Sequence, residues 1–233
     1  MNRNGFLAAS ATLLAAGAAP APAENVPGGT NFVERKADFD EASFINAVSR
    51  AADIRQVFEP VGFNPTILNS VKNSLNGLIF GFDYPANRIA IAVAAHGPSS
   101  AYAFSDYVWQ KYKIGQYINA KDANGAPLTT NAYLKAKATD PGNPDDPKGM
   151  YQDTQVETLQ KRGVLFLTCH TAVEEHAKKL VTQGLAPAGM SPSQVANDIL
   201  THLIPGAIVV PSMVATVAVL QAKYNYTYAS IAF

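Results

Sequence analysis

The sequence predicts an α/β fold: a three-layer sandwich in which a mostly parallel sheet of about five strands is flanked by helices. Two observations carry this. Short apolar runs of strand length alternate with segments whose apolar residues recur at helical spacing, as in parallel strands joined by crossover helices. One of those runs, Arg88-Ile89-Ala90-Ile91-Ala92-Val93-Ala94-Ala95, is apolar at odd and even positions alike. A strand covered on both faces has that character.

The elements follow in order. Asp38 to Arg50 places Phe39, Ala42, Ile45, Ala47 and Val48 on one side of a short amphipathic helix. Ile54 to Phe58 reads as the first strand. Asn64-Pro65 is a helix start, a capping side chain followed by proline at the first helical position. Ile67, Leu68, Val71, Leu75 and Leu78 form the buried stripe of that helix. The strand Arg88 to Ala95 ends in His96-Gly97-Pro98, and Ser99 or Ser100 can cap a helix over Ala101 to Lys113. Past a polar segment, a helix is expected near Gln152 to Arg162, then a strand Val164 to Thr168 and a helix from Cys169 to about Gln183. Ser191-Pro192 opens another capped helix with a stripe of Val195, Ile199 and Leu203. The strand Ala207 to Val210, a helix Met213 to Lys223 and a last strand Tyr226 to Ile231 complete the series.

The chain opens with the features of an export signal: Arg3, an apolar stretch from Phe6 to Ala19, and a small-residue site at Ala21-Pro22-Ala23. Residues 1–23 are therefore read as a signal peptide, and residues 24–233 as a single exported, periplasmic domain. Asn2-Arg3-Asn4-Gly5-Phe6-Leu7 has the form of a twin-arginine motif with Asn4 in place of the second arginine, so both the Sec and the twin-arginine routes stay open. The longest later apolar run, Ala207 to Leu220, is interrupted by Pro211 and too short to span a bilayer, so no membrane span is expected in the mature chain. With 18 basic and 18 acidic residues and no basic stripe, nucleic acid is not an expected partner. A hydrophobic fraction of 48 % against 15 % charged residues points to an oligomer-facing surface, hence a homo-oligomer.

From Ala120 to Gly149 the chain is polar and rich in glycine and proline, and it is read as an insertion at about 120–149. Asp140, Asn143, Asp145 and Asp146 within it do not have the spacing of an EF-hand loop. Cys169 with His170 and His176 could bind zinc or copper but supplies only three of the four ligands of a structural site, and the two histidines, six apart, cannot form an i,i+4 metal pair. No metal site and no cofactor are assigned.

In open parallel sheets, ligands bind at the carboxyl ends of the strands. That rule selects His96 and Gly97, Cys169 and His170, and Ser212. Cys169 is the only cysteine, and an unpaired thiol in an exported protein suggests reactivity or an intermolecular bond. At a strand-to-helix junction it would meet unpaired backbone N–H groups that favour a thiolate. The same position also suits a small core hydrophobe. His96 can serve a turn, and Ser212 can be an N-cap alone.

The segments Gly163-Val164-Leu165-Phe166-Leu167-Thr168-Cys169, Ile204-Pro205-Gly206-Ala207-Ile208-Val209-Val210-Pro211-Ser212, Leu220-Gln221 and Tyr226-Thr227-Tyr228, with the strand ending in His96-Gly97, resemble the DsrE/DsrF-like, sulfur-relay-type family. The resemblance covers about residues 53–110 and 155–231. It implies a trimer or hexamer and, in the active branch, sulfur carried as a persulfide on a cysteine after a strand; Cys169 alone matches that position. The insertion, the extension Glu24–Arg50 and Tyr224-Asn225 at the final turn depart from the family pattern. Two functions follow as expectations. One is envelope sulfur or thiol handling, with sulfane sulfur on Cys169, His96 or His170 stabilising the thiolate, Gly97 and Ser212 lining the site, and a thiol or sulfur-donor protein as partner. The alternative is a non-catalytic oligomeric protein for small-ligand binding or assembly, with an inert Cys169.

Overall fold

The computed structural model describes residues 31–138 and 140–229. The expected export signal and the end of the expected last strand lie outside these residues.

Helix α1 (Glu41–Val48) begins where the Asp40 carboxylate accepts the Ser43 N–H, and it buries Phe44 and Val48. Strand β1 (Ile54–Phe58) leads to α2 (Pro65–Asn76), capped by Asn64, whose side-chain oxygen accepts from Thr66 N–H. The helical path then widens into a π-type turn over Gly77–Gly81, which the apolar periodicity does not announce. Strand β2 (Ile89–Ala95) is buried at every position.

The single helix expected over Ala101 to Lys113 is instead three pieces: a 3₁₀ stretch Gly97–Ala103, α3 (Asp106–Lys111) and α4 (Ile114–Tyr117). Two breaks separate them. Phe104 leaves the helical path to bridge Leu203, and Lys113 takes a left-handed backbone at φ 50. Helix α5 (Val156–Lys161), strand β3 (Val164–Cys169) and α6 (His170–Thr182) follow, then α7 (Pro192–Thr201), capped reciprocally by Ser191 and Gln194. Strand β4 (Ala207–Val210), α8 (Met213–Tyr224) and β5 (Thr227–Ala229) close the order; Asn225 ends α8 at φ 58, a backbone that asparagine tolerates.

The five strands form one sheet in the order β4-β3-β2-β1-β5, and every pairing is parallel. Alternation along the strands sorts the two faces. Ala90, Ala92 and Ala94 of β2, with Leu167 and Cys169 of β3, meet Phe44 and Val48 of α1 and Met213, Val217 and Leu220 of α8. Ile89, Ile91 and Val93, with Val164 and Phe166, meet Leu68, Val71 and Leu75 of α2 and Val156 and Leu159 of α5. Burial of one such large side chain contributes roughly 1.5–3 kcal/mol. A third apolar cluster joins α3, α4, α6 and α7 around Trp109, Val173 and Ile199.

The polar segment 120–149 is more than a solvated loop. Buried Asn131 directs its amide Nδ2 at the carbonyls of Ala101, Tyr102 and Phe104, at 3.0–3.2 Å, and its N–H donates to Asp106. Leu134 enters the core beside α5. A Cβ on Gly115 would stand 2.0 Å from the Leu128 carbonyl oxygen, so only glycine lets the segment press against α4.

Candidate functional site

Strands β2, β3 and β4 are consecutive in the sheet, so their carboxyl ends carry His96, Cys169 and Ser212 side by side. The last pair in register between β2 and β3 is Ala95↔Thr168, and Cys169 pairs with Val210. His96 keeps an extended backbone (φ −147, ψ 169), so alternation puts it on the face of Ala94 and Leu167, the face of Cys169. The expected juxtaposition of the two strand ends is therefore present.

Cys169 is 5 % exposed, and its sulfur is held by backbone. It occupies the N-cap of α6, where Sγ accepts the Ala172 N–H at 3.4 Å, and it accepts a second N–H from Met213, the first residue of α8, at 3.3 Å. The N-termini of two helices, each three turns or more in length, thus converge on one sulfur. Unpaired N–H groups and the positive ends of helix dipoles make such a place suited to negative charge.

The histidines are arranged differently from the sequence-based expectation. No hydrogen bond links His96 or His170 to Cys169 among the described residues. His96 turns toward β1 instead, its Nε2 3.2 Å from Glu59 Oε1 but out of line for a hydrogen bond. The other Glu59 oxygen accepts from Tyr228 Oη at 2.8 Å. Glu59 follows β1 and Tyr228 lies in β5, and between these strands the winding direction of the sheet reverses. That reversal is where open sheets place ligands. Sequence reasoning missed Glu59 because strand order was needed to find it; the only local signal is a carboxylate directly after the apolar end of β1 and before Pro60.

His170 is buried against the start of the described chain. Its Nε2 stands 4.0 Å from Glu174 Oε1, and its Nδ1 has no partner. Burial lowers its pKa, with Asp38 pulling the other way. Burial likewise raises the pKa of Glu174, against a backbone hydrogen bond from Asn31, and pushes Glu34 up to about 7 with help from Asp38. Thr171 Oγ1 lies 2.9 Å from the Phe32 carbonyl oxygen and 3.0 Å from that of Pro211. Residues 31–38 therefore lie against the start of α6, next to the Cys169 turn.

Gly97 has φ 55, a left-handed backbone that explains the glycine. Its carbonyl oxygen lies 2.8 Å from His176 Nε2, and His176 Nδ1 lies 2.8 Å from Tyr117 Oη. A carbonyl can only accept, so Nε2 carries the proton and Nδ1 accepts from the tyrosine. His176 thus fastens α6 to the turn after β2. Ser212 stands at the N-cap of α8, but its hydroxyl makes no capping bond. It lines a cavity of about 180 Å³ with Phe39, Phe44, Pro211 and Thr216.

Among the described residues, no group of three or more His, Cys, Asp or Glu side chains is placed to hold a metal ion, and no helix is long and apolar enough to cross a membrane. No family model, no curated protein and no solved structure matches the chain.

Proposed function

We propose that this is an exported sulfur- or thiol-handling protein that carries sulfane sulfur on Cys169. The observation that carries the reading is the convergence of two helix N-termini on the Cys169 sulfur, with N–H donors at 3.4 and 3.3 Å. A persulfide forms when the Cys169 thiolate attacks the outer sulfur of a donor persulfide. The new S–S bond is to Cys169, the donor S–S bond breaks, and the donor leaves as a thiolate that takes up the displaced proton. The protein then holds the sulfane sulfur for an acceptor thiol by the reverse exchange. The same N–H groups that serve the thiolate can serve the anionic persulfide. His96 and Glu59, at the ends of the next two strands, are candidates to receive and return the proton. The cavity beside Ser212 abuts the first turn of α8, whose Met213 N–H reaches the sulfur, and it supports a route for the donor.

The test is the intact mass of the native protein after exposure to polysulfide, before and after reductant, with Cys169→Ala beside it. Sulfur adducts that appear on the wild type, vanish on reduction and are absent from Cys169→Ala are expected. A wild type that takes up no sulfur overturns the proposal.

One observation favours a second reading, a non-catalytic binding or assembly protein. Cys169 is 5 % exposed and packs with Ala172, Val210 and Met213, as an inert core cysteine would. If iodoacetamide labels Cys169 only after denaturation, this second reading holds.

A further inference from the structure

At the opposite end of the sheet, where the strands begin, a cavity of about 390 Å³ is lined by Arg50, Lys161 and Arg162 together with Ile79, Met150 and Tyr151. Three cationic side chains share it. Among the described residues no carboxylate lies within ion-pair distance of any of them; the nearby Asp53 is taken by Arg88. Lys72, 8 % exposed, adds to the positive charge behind Arg162, its ammonium satisfied only by the neutral Gln152 side chain at 2.9 Å.

The guanidinium groups are held in place with donors left over. Arg50 Nη2 donates to the carbonyls of Ile89 and Gly163, at 2.6 and 2.8 Å, which fixes it across the starts of β2 and β3. Its Nε is buried and has no partner. Gly163 makes room for it: a Cβ there would stand 3.0 Å from Arg50 Nη1. Arg162 lies over the Tyr151 ring at 5.2 Å and donates through Nη2 to Asn76 Oδ1 at 2.6 Å, while its Nη1 is buried without a partner. Burial lowers the pKa of both Arg162 and Lys72, and Arg162 lowers that of Lys72 further. In both the largest cause is burial of a charged group, and the Tyr151 hydroxyl pulls Arg162 the other way.

Clustered cations, two of them partly buried with N–H donors left unused, are unfavourable on their own and favourable around an anion. Guanidinium forks match tetrahedral oxyanions, and Ile79, Met150 and Tyr151 offer an apolar wall beside them. We infer that this cavity is a binding site for a phosphate- or sulfate-type oxyanion borne on a small organic molecule, with Arg162 and Lys161 as its principal ligands and Arg50 at its back. The site is independent of Cys169, which lies at the other end of the strands.

Calorimetric titration of the full chain tests it, with inorganic phosphate, inorganic sulfate and phenyl phosphate as probes in a chloride buffer of matched ionic strength. Saturable binding is expected, with phenyl phosphate tighter than either inorganic ion because of the apolar wall. Lys161→Gln, an exposed position that leaves packing untouched, and the double variant with Arg162→Gln should weaken phenyl phosphate at least about 10-fold. Lys178→Gln on α6 should leave it unchanged. Inorganic ions binding as tightly as phenyl phosphate would exclude the organic part of the ligand. No saturable binding by the wild type, or equal affinity in the Lys161→Gln and Lys178→Gln variants, would overturn the site.

Discussion

His176→Gln tests the link between α6 and the turn after β2, and its effect on stability has a sign fixed by burial. The imidazole is 5 % exposed, donates to the Gly97 carbonyl and accepts from Tyr117 Oη. Protonation would turn the accepting nitrogen into a donor facing the tyrosine. Burial therefore lowers the folded pKa, with the Gly97 bond opposing and Lys179 adding to the fall. The unfolded imidazole titrates near its ordinary value of 6.5. Above that pH both states are neutral and the contribution of His176 is fully present. As pH falls below it, the unfolded state takes up a proton that the folded state refuses, and stability is lost until the folded pKa is reached. The largest slope for one group is about 1.4 kcal/mol per pH unit. Glutamine can keep both hydrogen bonds but gives up the edge contacts with Phe104 and Tyr117, at a cost of about 1 kcal/mol. At pH 7.5 the variant should therefore be the less stable by about that amount, and by pH 5.5, where the wild type alone loses up to about 1.4 kcal/mol, the gap should have closed or changed sign. Urea denaturation of both proteins across this range measures the difference, in which the opposing contribution of Glu34 cancels. A gap that stays constant with pH would refute the neutral, buried imidazole.

Two further outcomes are expected. Asn131→Ala should cost about 2–4 kcal/mol, because it strips the amide from three buried carbonyls and reopens the 120–149 segment, read as a lower denaturation midpoint and new protease cleavage there. For Glu34, the folded pKa is raised from the ordinary value of 4.5 to about 7, so its contribution is fully present below about 4.5 and is lost as pH rises through 7. Glu34→Gln should then be more stable than the wild type at pH 8 by about 1 kcal/mol, well under the full shift because the side chain is partly solvated, and urea midpoints at pH 5 and pH 8 check it.

Strands were the most legible part of the sequence. β2 is apolar on both faces because helices cover both, and the caps Asn64-Pro65 and Ser191-Pro192 mark where α2 and α7 start. What escaped depends on contacts distant in sequence. Nothing in Ala101–Lys113 says that Phe104 leaves the helix to meet Leu203, or that Lys113 turns left-handed. Asn131 reads as one more polar residue in a polar stretch until three carbonyls are seen to surround it. The candidate site divides the same way. Cys169 and His96 were identifiable as residues at strand ends, but the second N–H on the sulfur comes from Met213, and the carboxylate facing His96 comes from Glu59. Both required the strand order.

The pairing of β5 with β1 joins residues made far apart in time. Thr227 Oγ1 donates to the Arg55 carbonyl across a separation of 172 residues. On a ribosome adding about 5–20 residues per second, β1 gains β2 early but waits about 10–30 s for its other neighbour. Throughout that interval one side of β1 is an unpaired row of backbone groups, open to any extended peptide nearby. A holdase chaperone that shields this strand until Tyr226-Thr227-Tyr228 emerges would meet that hazard of edge-to-edge aggregation.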